Sequence, residues 1–237
     1  MSTESTQPNG PVLNVRDLAL SKGDDPYSFD VHPGLTILET TRESGGTTLS
    51  LAIGGRFTPA AGTVSLTPAG PATTRQRFKA VALAGVPLID TLERDVAARE
   101  ALREQLAWSQ PFFARVPRSS ARLLAHPQVA PWLAPLGLEH LAPDRTVGEL
   151  DALDRMRLRV LLALVGRREA RMLLVDDPDQ LRNNALRGEL LRNLRAVSRH
   201  LPVLVTSVNP DPDGVADELI DLTVRRDRTE EPEGMDA

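Results

Sequence analysis

Apolar residues come in short, punctuated bursts along this chain, and the spacing within each burst points to the element it builds. Residues 12–15 form a short strand candidate. Residues 27–31 alternate apolar and polar, as a half-buried strand does. Residues 35–38 are continuously apolar after the turn residue Gly34 and read as a buried strand. Residues 47–54 then suit a helix that stops at the Gly54-Gly55 breaker, and 62–66 and 81–83 are further strands. From about 92 to 150 the character changes. Residues 92–108 read as a helix, and Pro111, Pro117, Pro127, Pro131, Pro135 and Pro143 then divide the chain into short helical pieces. Residues 151–165 form a helix with Asp151 as its N-cap. Residues 172–175 are a buried strand. Leu186, Leu190, Leu191, Leu194 and Val197 share one helical face, and strands at 203–206 and 219–222 close the series.

Strand, helix and strand joined by short loops predict an α/β fold with right-handed crossovers and a largely parallel sheet. The expected organisation is a core over 11–91 and 151–225, a helical insertion over 92–150, and flexible tails at 1–10 and 226–237. With 237 residues, 41% of them hydrophobic, the chain can bury a sizeable core. A net charge of −4 argues against a nucleic-acid partner. The absence of cysteine excludes disulfides, thiolate metal sites and a cysteine nucleophile. The first residues show no basic segment followed by an apolar one, and the longest apolar run, 160–165, is far too short to span a bilayer. The expected location is the cytoplasm, free or peripheral on the inner membrane face. Lysine occurs only at Lys22 and Lys79, which leaves few candidates for a phosphate-binding ammonium.

Two segments carry candidate chemistry. After the strand 35–38 the chain reads Glu39, Thr40, Thr41, Arg42, Glu43, Ser44, Gly45, Gly46, Thr47, Thr48. A phosphate-binding loop needs G-x-x-x-x-G-K-[ST] between strand and helix, so that glycine amides and a lysine cradle phosphate while a hydroxyl holds Mg²⁺. Thr40 stands at the first glycine position, Gly45 at the second, Gly46 at the lysine and Thr47 at the hydroxyl. An ordinary strand-to-helix turn reads much the same. The second segment is Met172, Leu173, Leu174, Val175, Asp176, Asp177, Pro178. It places two carboxylates at the carboxyl end of a buried strand, where ligands of parallel sheets bind. A solvated Asp-Asp-Pro turn is the plainer account.

The order of these segments resembles the ATP-binding cassette of ABC transporters over roughly residues 12–223. Residues 13–23 resemble its opening strand and turn. Val147 to Arg155 (V-G-E-L-D-A-L-D-R) resembles the L-S-G-G-Q signature and its helix. Asp176-Asp177-Pro178 resembles D-E-P, and 203–208 resembles the strand that ends in the switch histidine. The resemblance implies a P-loop NTPase-like core with an inserted helical subdomain. It also implies ATP with Mg²⁺ as cofactors where binding is retained. Arg42, Ser44, Gly45, Gly46, Thr47 and Thr48 would surround the phosphates, Thr47 and Asp176 would hold the metal, and Asp177 would stand at the catalytic position. The implied partner is an integral membrane permease-type protein, and pairing as a homodimer or with another cassette is possible. The Asp-Asp-Pro turn and the signature-like helix argue against an unrelated P-loop kinase or GTPase.

The departures from the family pattern have physical meanings. Gly46 removes the ammonium aimed at the phosphates, a loss of about 2–5 kcal/mol when nothing replaces it. Lys22 stands where an aromatic ring would stack on adenine, with Tyr27 a substitute nearby. Asp151 and Asp154 favour the helix start but repel phosphate. Ser207 replaces the switch histidine, Asn183 replaces the D-loop aspartate, and Ala84-Gly85-Val86-Pro87 lacks the Q-loop glutamine. Glu43 adds a negative charge to the loop. These losses leave two readings: a cassette with weakened nucleotide binding and doubtful hydrolysis, or an inactive pseudo-cassette that scaffolds or regulates. Trp108, Phe112, Phe113 and Trp132 are expected to pack the helical subdomain's own core; the alternative is a groove that takes a permease helix.

Overall fold

Runs that are apolar at successive positions become strands buried on both faces, and such strands suit the middle layer of a parallel sheet. The computed structural model describes residues 10–42, 44–87, 89–111, 113–211 and 213–223. Glu43, Phe112 and the two tails apart from Gly10 lie outside the described residues. Five strands, β3 (Leu35–Glu39), β6 (Val81–Ala84), β7 (Met172–Asp176), β8 (Val203–Ser207) and β9 (Glu218–Asp221), form one sheet in the order β6-β7-β8-β3-β9. Its pairings are parallel, with Leu35 opposite Val203 and Val81 opposite Met172.

The period-two alternation within these strands sorts their side chains between two cores. Leu35, Ile37, Leu173, Val175, Val203 and Val205 join a cluster with the helices α6 (Ala152–Gly166) and α7 (Asn184–Val197). Leu38, Leu174 and Leu204 point the other way, onto Leu49, Ala52 and Ile53 of α1 (Gly46–Ile53).

The expected mostly parallel sheet with flanking helices is thus present, and a second sheet that the sequence reading did not separate from it accompanies it. The early strands β1 (Leu13–Ala19), β2 (Tyr27–Val31), β4 (Ala61–Leu66) and β5 (Gly70–Pro71) form a separate antiparallel sheet, ordered β2-β1-β4-β5. The connection 20–26 is too short for a parallel crossover, so β1 and β2 pair as a hairpin. The sheet lays Leu13, Val15, Phe29 and Val64 over α1 in the second core.

A helix that the apolar pattern does not predict, α2 (Thr74–Ala80), precedes β6. It starts in a capping box in which Thr73 and Gln76 exchange side-chain and backbone bonds. The helix expected from 92 starts later, as α3 (Ala98–Ser109). Before it, the backbone pairs with 143–148 instead: Val147 N donates to Val96 O (2.9 Å) and Gly148 N to Arg94 O (2.8 Å). Two short helices follow, α4 (Ser120–Leu124) and α5 (Ala130–Leu133). Leu102 and Leu106 of α3 are fully buried in the cluster that α6 shares with the sheet, so apolar packing is continuous from 92–150 into the sheet's helices. Trp132 packs partly buried against that cluster and meets His200 edge-on at 5.9 Å. Trp108 and Phe113, in contrast, are 80% and 85% exposed. The reading that they fill the helical core is wrong, because Leu102, Leu106, Leu123 and Leu136 already fill it.

Candidate functional site

The carboxyl edge of the parallel sheet gathers the polar residues of both candidate segments. After β3 the chain turns through 40–45 and enters α1 with Gly45 in the left-handed region (φ 70°). That conformation suits glycine, and a Cβ there would also sit 3.3 Å from Leu20 Cδ1. The loop is braced from within and from outside. Ser44 Oγ donates to Thr41 O (2.8 Å) and accepts from Thr41 N (3.1 Å). The Tyr27 hydroxyl donates to Ser44 O, which ties this ring to the loop. The amides of Gly45, Gly46, Thr47 and Thr48 have no acceptor among the described residues. These are the four donors that a helix start leaves open, and they favour an anion.

Thr40 and Gly46 fit each other. A Cβ built on Gly46 would lie 3.0 Å from Thr40 Oγ1, so the hydroxyl fills space that the glycine leaves. Thr40 is buried, and its amide donates to Ser207 O at 2.9 Å. The two departures from the phosphate-loop pattern therefore share one contact.

Asp176 ends β7 directly across from this loop and is 1% exposed. Thr47 Oγ1 donates to its Oδ2 at 2.8 Å. Ser50 Oγ and Thr206 Oγ1 reach its Oδ1 at 2.8 and 2.7 Å, and these two hydroxyls lie 2.9 Å apart. Among the described residues, this buried carboxylate is thus held by three hydroxyls. Sequence reading missed Ser50 and Thr206. Ser50 follows Thr47 by one helical turn on the same face, and Thr206 is a polar interruption in an apolar strand; a buried polar residue in such a place needs a partner.

Asp177 takes a left-handed conformation (φ 47°), and its amide donates to Thr206 O at 3.0 Å. Its half-buried carboxylate accepts a hydrogen bond from the backbone amide of Asp179. Burial first, then the charges of Asp179 and Asp176, push this carboxyl above its ordinary value, while the exposed Arg42 opposes the shift. Arg42 therefore acts on the site through its charge. Thr48 lies half-buried in the first turn of α1, and its hydroxyl has no partner among the described residues.

The neighbouring corner is built differently. Ser207, at the switch position, is 2% exposed. Its hydroxyl lies 2.9 Å from Asp179 Oδ2 and accepts from Arg187 Nη2 at 2.8 Å. Arg187 Nε lies 2.6 Å from Asp179 Oδ1, an ion pair whose N–H is not aligned for a hydrogen bond. Arg187 also donates to Asn209 O (2.8 Å) and Pro210 O (2.9 Å). The Ser207 side chain is thus committed to this buried network.

Three further departures have structural occupants. Gln180 supplies an amide to the Q-loop region: its Nε2 donates to Gly85 O at 2.7 Å and its Oε1 accepts from Arg159 at 2.9 Å. Gly85 (φ +91°) must be glycine, because a Cβ would fall 1.9 Å from Asp176 O. Asn183 caps α7, its Oδ1 accepting from Ala185 N at 2.9 Å. In the signature-like segment Asp151 caps α6 by accepting from Asp154 N (2.8 Å). The Asp154 carboxylate turns inward to Arg157 (3.0 Å) and His140 (2.7 Å), so only Asp151 presents its charge at the helix start.

The donor set fits the phosphate end of an Mg-nucleotide in part. The open amides and the Thr47 hydroxyl suit phosphate and Mg²⁺, with Asp176 behind them. No cluster of three or more His, Asp or Glu side chains among the described residues could hold a metal unaided. Mg²⁺ would therefore rely on phosphate oxygens and water, as it commonly does.

No family model and no curated protein matches the sequence. Solved structures do match in fold. An ATP-binding cassette of an ABC transporter, MJ1267, superposes with a TM-score of 0.71 at 17% identity, over 89% of this chain and 87% of that one. The same cassette in its ADP conformation gives 0.64 at 17% identity, over 85% and 82%. CbiO1 from Clostridium perfringens, part of the ABC transporter complex CbiONQ, gives 0.66 at 15% identity, over 85% and 79%. With its parallel sheet, flanking helices and facing loop and strand end, the chain has the fold of an ABC-transporter ATP-binding cassette.

Proposed function

We propose that this chain is an ABC-transporter-type ATP-binding subunit that docks on a membrane permease, binds Mg-ATP weakly and turns it over slowly if at all. The observation that carries the reading is the 2.8 Å hydrogen bond from Thr47 to Asp176, which joins the glycine-bearing loop to the strand end. In this reading the amides of Gly45 to Thr48 hold phosphate oxygens, with Arg42 adding charge and Ser44 keeping the loop in shape. Thr47 offers its hydroxyl to Mg²⁺, and Asp176 orients that hydroxyl from behind. Bound Mg²⁺ would neutralise phosphate charge. Asp177 stands at the catalytic position in this reading, where it would accept a proton from water, and burial raises its pKa above the ordinary carboxylate value.

Weak binding follows from the missing ammonium at Gly46, whose space the Thr40 hydroxyl fills. Slow turnover follows from Ser207, which cannot act as the switch histidine would. A second reading, a pseudo-cassette that scaffolds or regulates, is favoured by that same locked corner. No helix among the described residues is long and apolar enough to cross a membrane, so the proposed membrane association is peripheral, on the cytoplasmic face and through a partner. Pairing with a second cassette belongs to the same proposal.

Calorimetric titration of the full chain with Mg-ATP separates the two readings. Weak, Mg²⁺-dependent binding is expected; no heat at millimolar nucleotide would leave only the scaffold. Affinity capture from membranes is expected to recover an integral membrane protein, and a wholly soluble set of partners would count against docking.

A further inference from the structure

The amino end of the parallel sheet, opposite the carboxyl edge, concentrates positive charge. No Asp or Glu occurs between Ser44 and Ile89, a stretch that carries Arg56, Arg75, Arg77 and Lys79. Helix α1 begins at the glycine-bearing loop and runs away from it, so Arg56, just past its end, belongs to the far side. Arg167 follows α6 and precedes β7, whose other end is Asp176. The bond from Arg171 N to Ala80 O (2.7 Å) brings this turn beside α2. There the guanidinium carbons of Arg56 and Arg167 lie 5.0 and 4.1 Å from the centre of one ring, that of Phe78, which is 41% exposed.

Backbone oxygens use only part of each guanidinium. Arg56 Nη1 donates to Gly54 O (2.7 Å). Arg167 donates through Nε to Phe78 O (3.1 Å) and through Nη1 to Gly166 O (3.0 Å). The Nη2 group of each has no acceptor among the described residues and is open to solvent. Neither arginine pairs with a carboxylate among the described residues. Asp90, whose charge acts on Arg56 without touching it, is committed to Arg159. Glu169, close to Arg167 in sequence, is exposed and bonds to neither guanidinium. Burial first, then the charge of Arg167, push the Arg56 guanidinium down to about 10, while Asp90 opposes the shift. Partly buried charges are ordinarily neutralised by a partner, and attraction to the ring offsets only part of the cost here.

We propose that Arg56 and Arg167, gathered around Phe78, form a binding site for a phosphate-class oxyanion, free or on a lipid headgroup. The guanidinium fork matches the oxygens of a phosphate group, and two charges against one ring lie within reach of a single tetrahedral anion. Exposed Arg75, Lys79, Arg168 and Arg171 would draw anions toward the site. Arg77 adds charge but no contact, since its nitrogens are taken by Ala52 O, Ala72 O and the Thr74 hydroxyl. Capping of α1 and α6 explains the carbonyl bonds of Arg56 and Arg167. It does not explain two like charges at one ring without an acid. The site lies at the opposite ends of α1 and β7 from Thr47 and Asp176, so it stands or falls without the nucleotide-site proposal.

The test uses the full chain with two probes, pyrophosphate without Mg²⁺ and phosphatidylglycerol vesicles, against chloride at matched ionic strength. Saturable binding of pyrophosphate by calorimetry would assign the site to a soluble phosphate ligand. Co-sedimentation with vesicles alone, lost in the arginine variants, would assign it to a lipid headgroup. Arg56→Met and Arg167→Gln should each weaken the binding by about tenfold. Arg167→Lys, which keeps the charge but not the fork, should recover part of that loss. Neither substitution breaks an ion pair, so a thermal melt in chloride should find both variants folded. Should Arg56→Met fail to fold, Arg167→Gln and Arg167→Lys decide the question by themselves. Absence of binding to either probe would overturn the proposal. So would binding that persists in the arginine variants, which would place the anion on the open amides of 45–48 instead.

Discussion

At one corner of the parallel sheet's carboxyl edge, Asp176 is held by three neutral hydroxyls, and one of them, on Thr47, also faces the open helix start. At the other corner, Asp179 is held by the guanidinium of Arg187 and by Ser207, all closed off from solvent. The first corner can exchange one of its bonds for a ligand at little cost, since a hydroxyl gives up one hydrogen bond worth about 1 kcal/mol net. The second cannot, because moving either charge leaves the other buried and unpaired. One corner of a sheet edge can thus stay adaptable while its neighbour becomes structure.

Breaking the closed corner should have the largest effect. Arg187→Ala is expected to destabilise the fold by about 3–5 kcal/mol in urea unfolding, because Asp179 remains buried without its cation. The Asp179→Asn, Arg187→Met pair should recover most of that loss; if it does not, the corner is not held by its ion pair. Breaking the hydroxyl corner should cost less. Asp176→Ala strands Thr47, Ser50 and Thr206 and is expected to cost about 2–3 kcal/mol in the same assay. Asp176→Asn, which keeps an acceptor, should cost less than the alanine.

The Thr40–Gly46 contact gives a third test. Gly46→Lys alone places a Cβ 3.0 Å from Thr40 Oγ1, so its gain in Mg-ATP affinity should be small. The Thr40→Gly, Gly46→Lys pair removes the crowding and should gain about tenfold or more by calorimetry. The smallest effect is expected at Asp177. Its folded pKa lies above its unfolded value, so above that pKa the ionised carboxylate costs stability. Asp177→Asn should therefore raise the melting temperature by roughly 1–3 °C at pH 7, the group being half exposed. The gain should fade as the pH drops below the ordinary carboxylate range, where both states of the native residue are protonated.

Much of this edge was legible because apolar runs that end in acids or glycines announce buried strands. The segments at 35–38, 172–175 and 203–206 became β3, β7 and β8, with Asp176 facing Thr47. Pairing between distant strands was harder to read. Nothing local separates β1, β2 and β4 from strands of the parallel sheet except a short connection. The capping box of α2 was a local signal left unused. The closed corner was not legible, since Asp179 and Arg187 look like surface charges until the fold brings them to Ser207. The exposure of Trp108 and Phe113 also escaped pattern reading, because aromatics between prolines resemble core residues as readily as interface residues.

The most direct measurement compares Mg-ATP affinity across the two corners by calorimetry. Thr47→Val should weaken Mg²⁺-dependent binding by about tenfold, whereas Asp179→Asn with Arg187→Met should leave affinity within about twofold of the parent. Equal losses at both corners, or a loss only at the second, would contradict the division of roles drawn here.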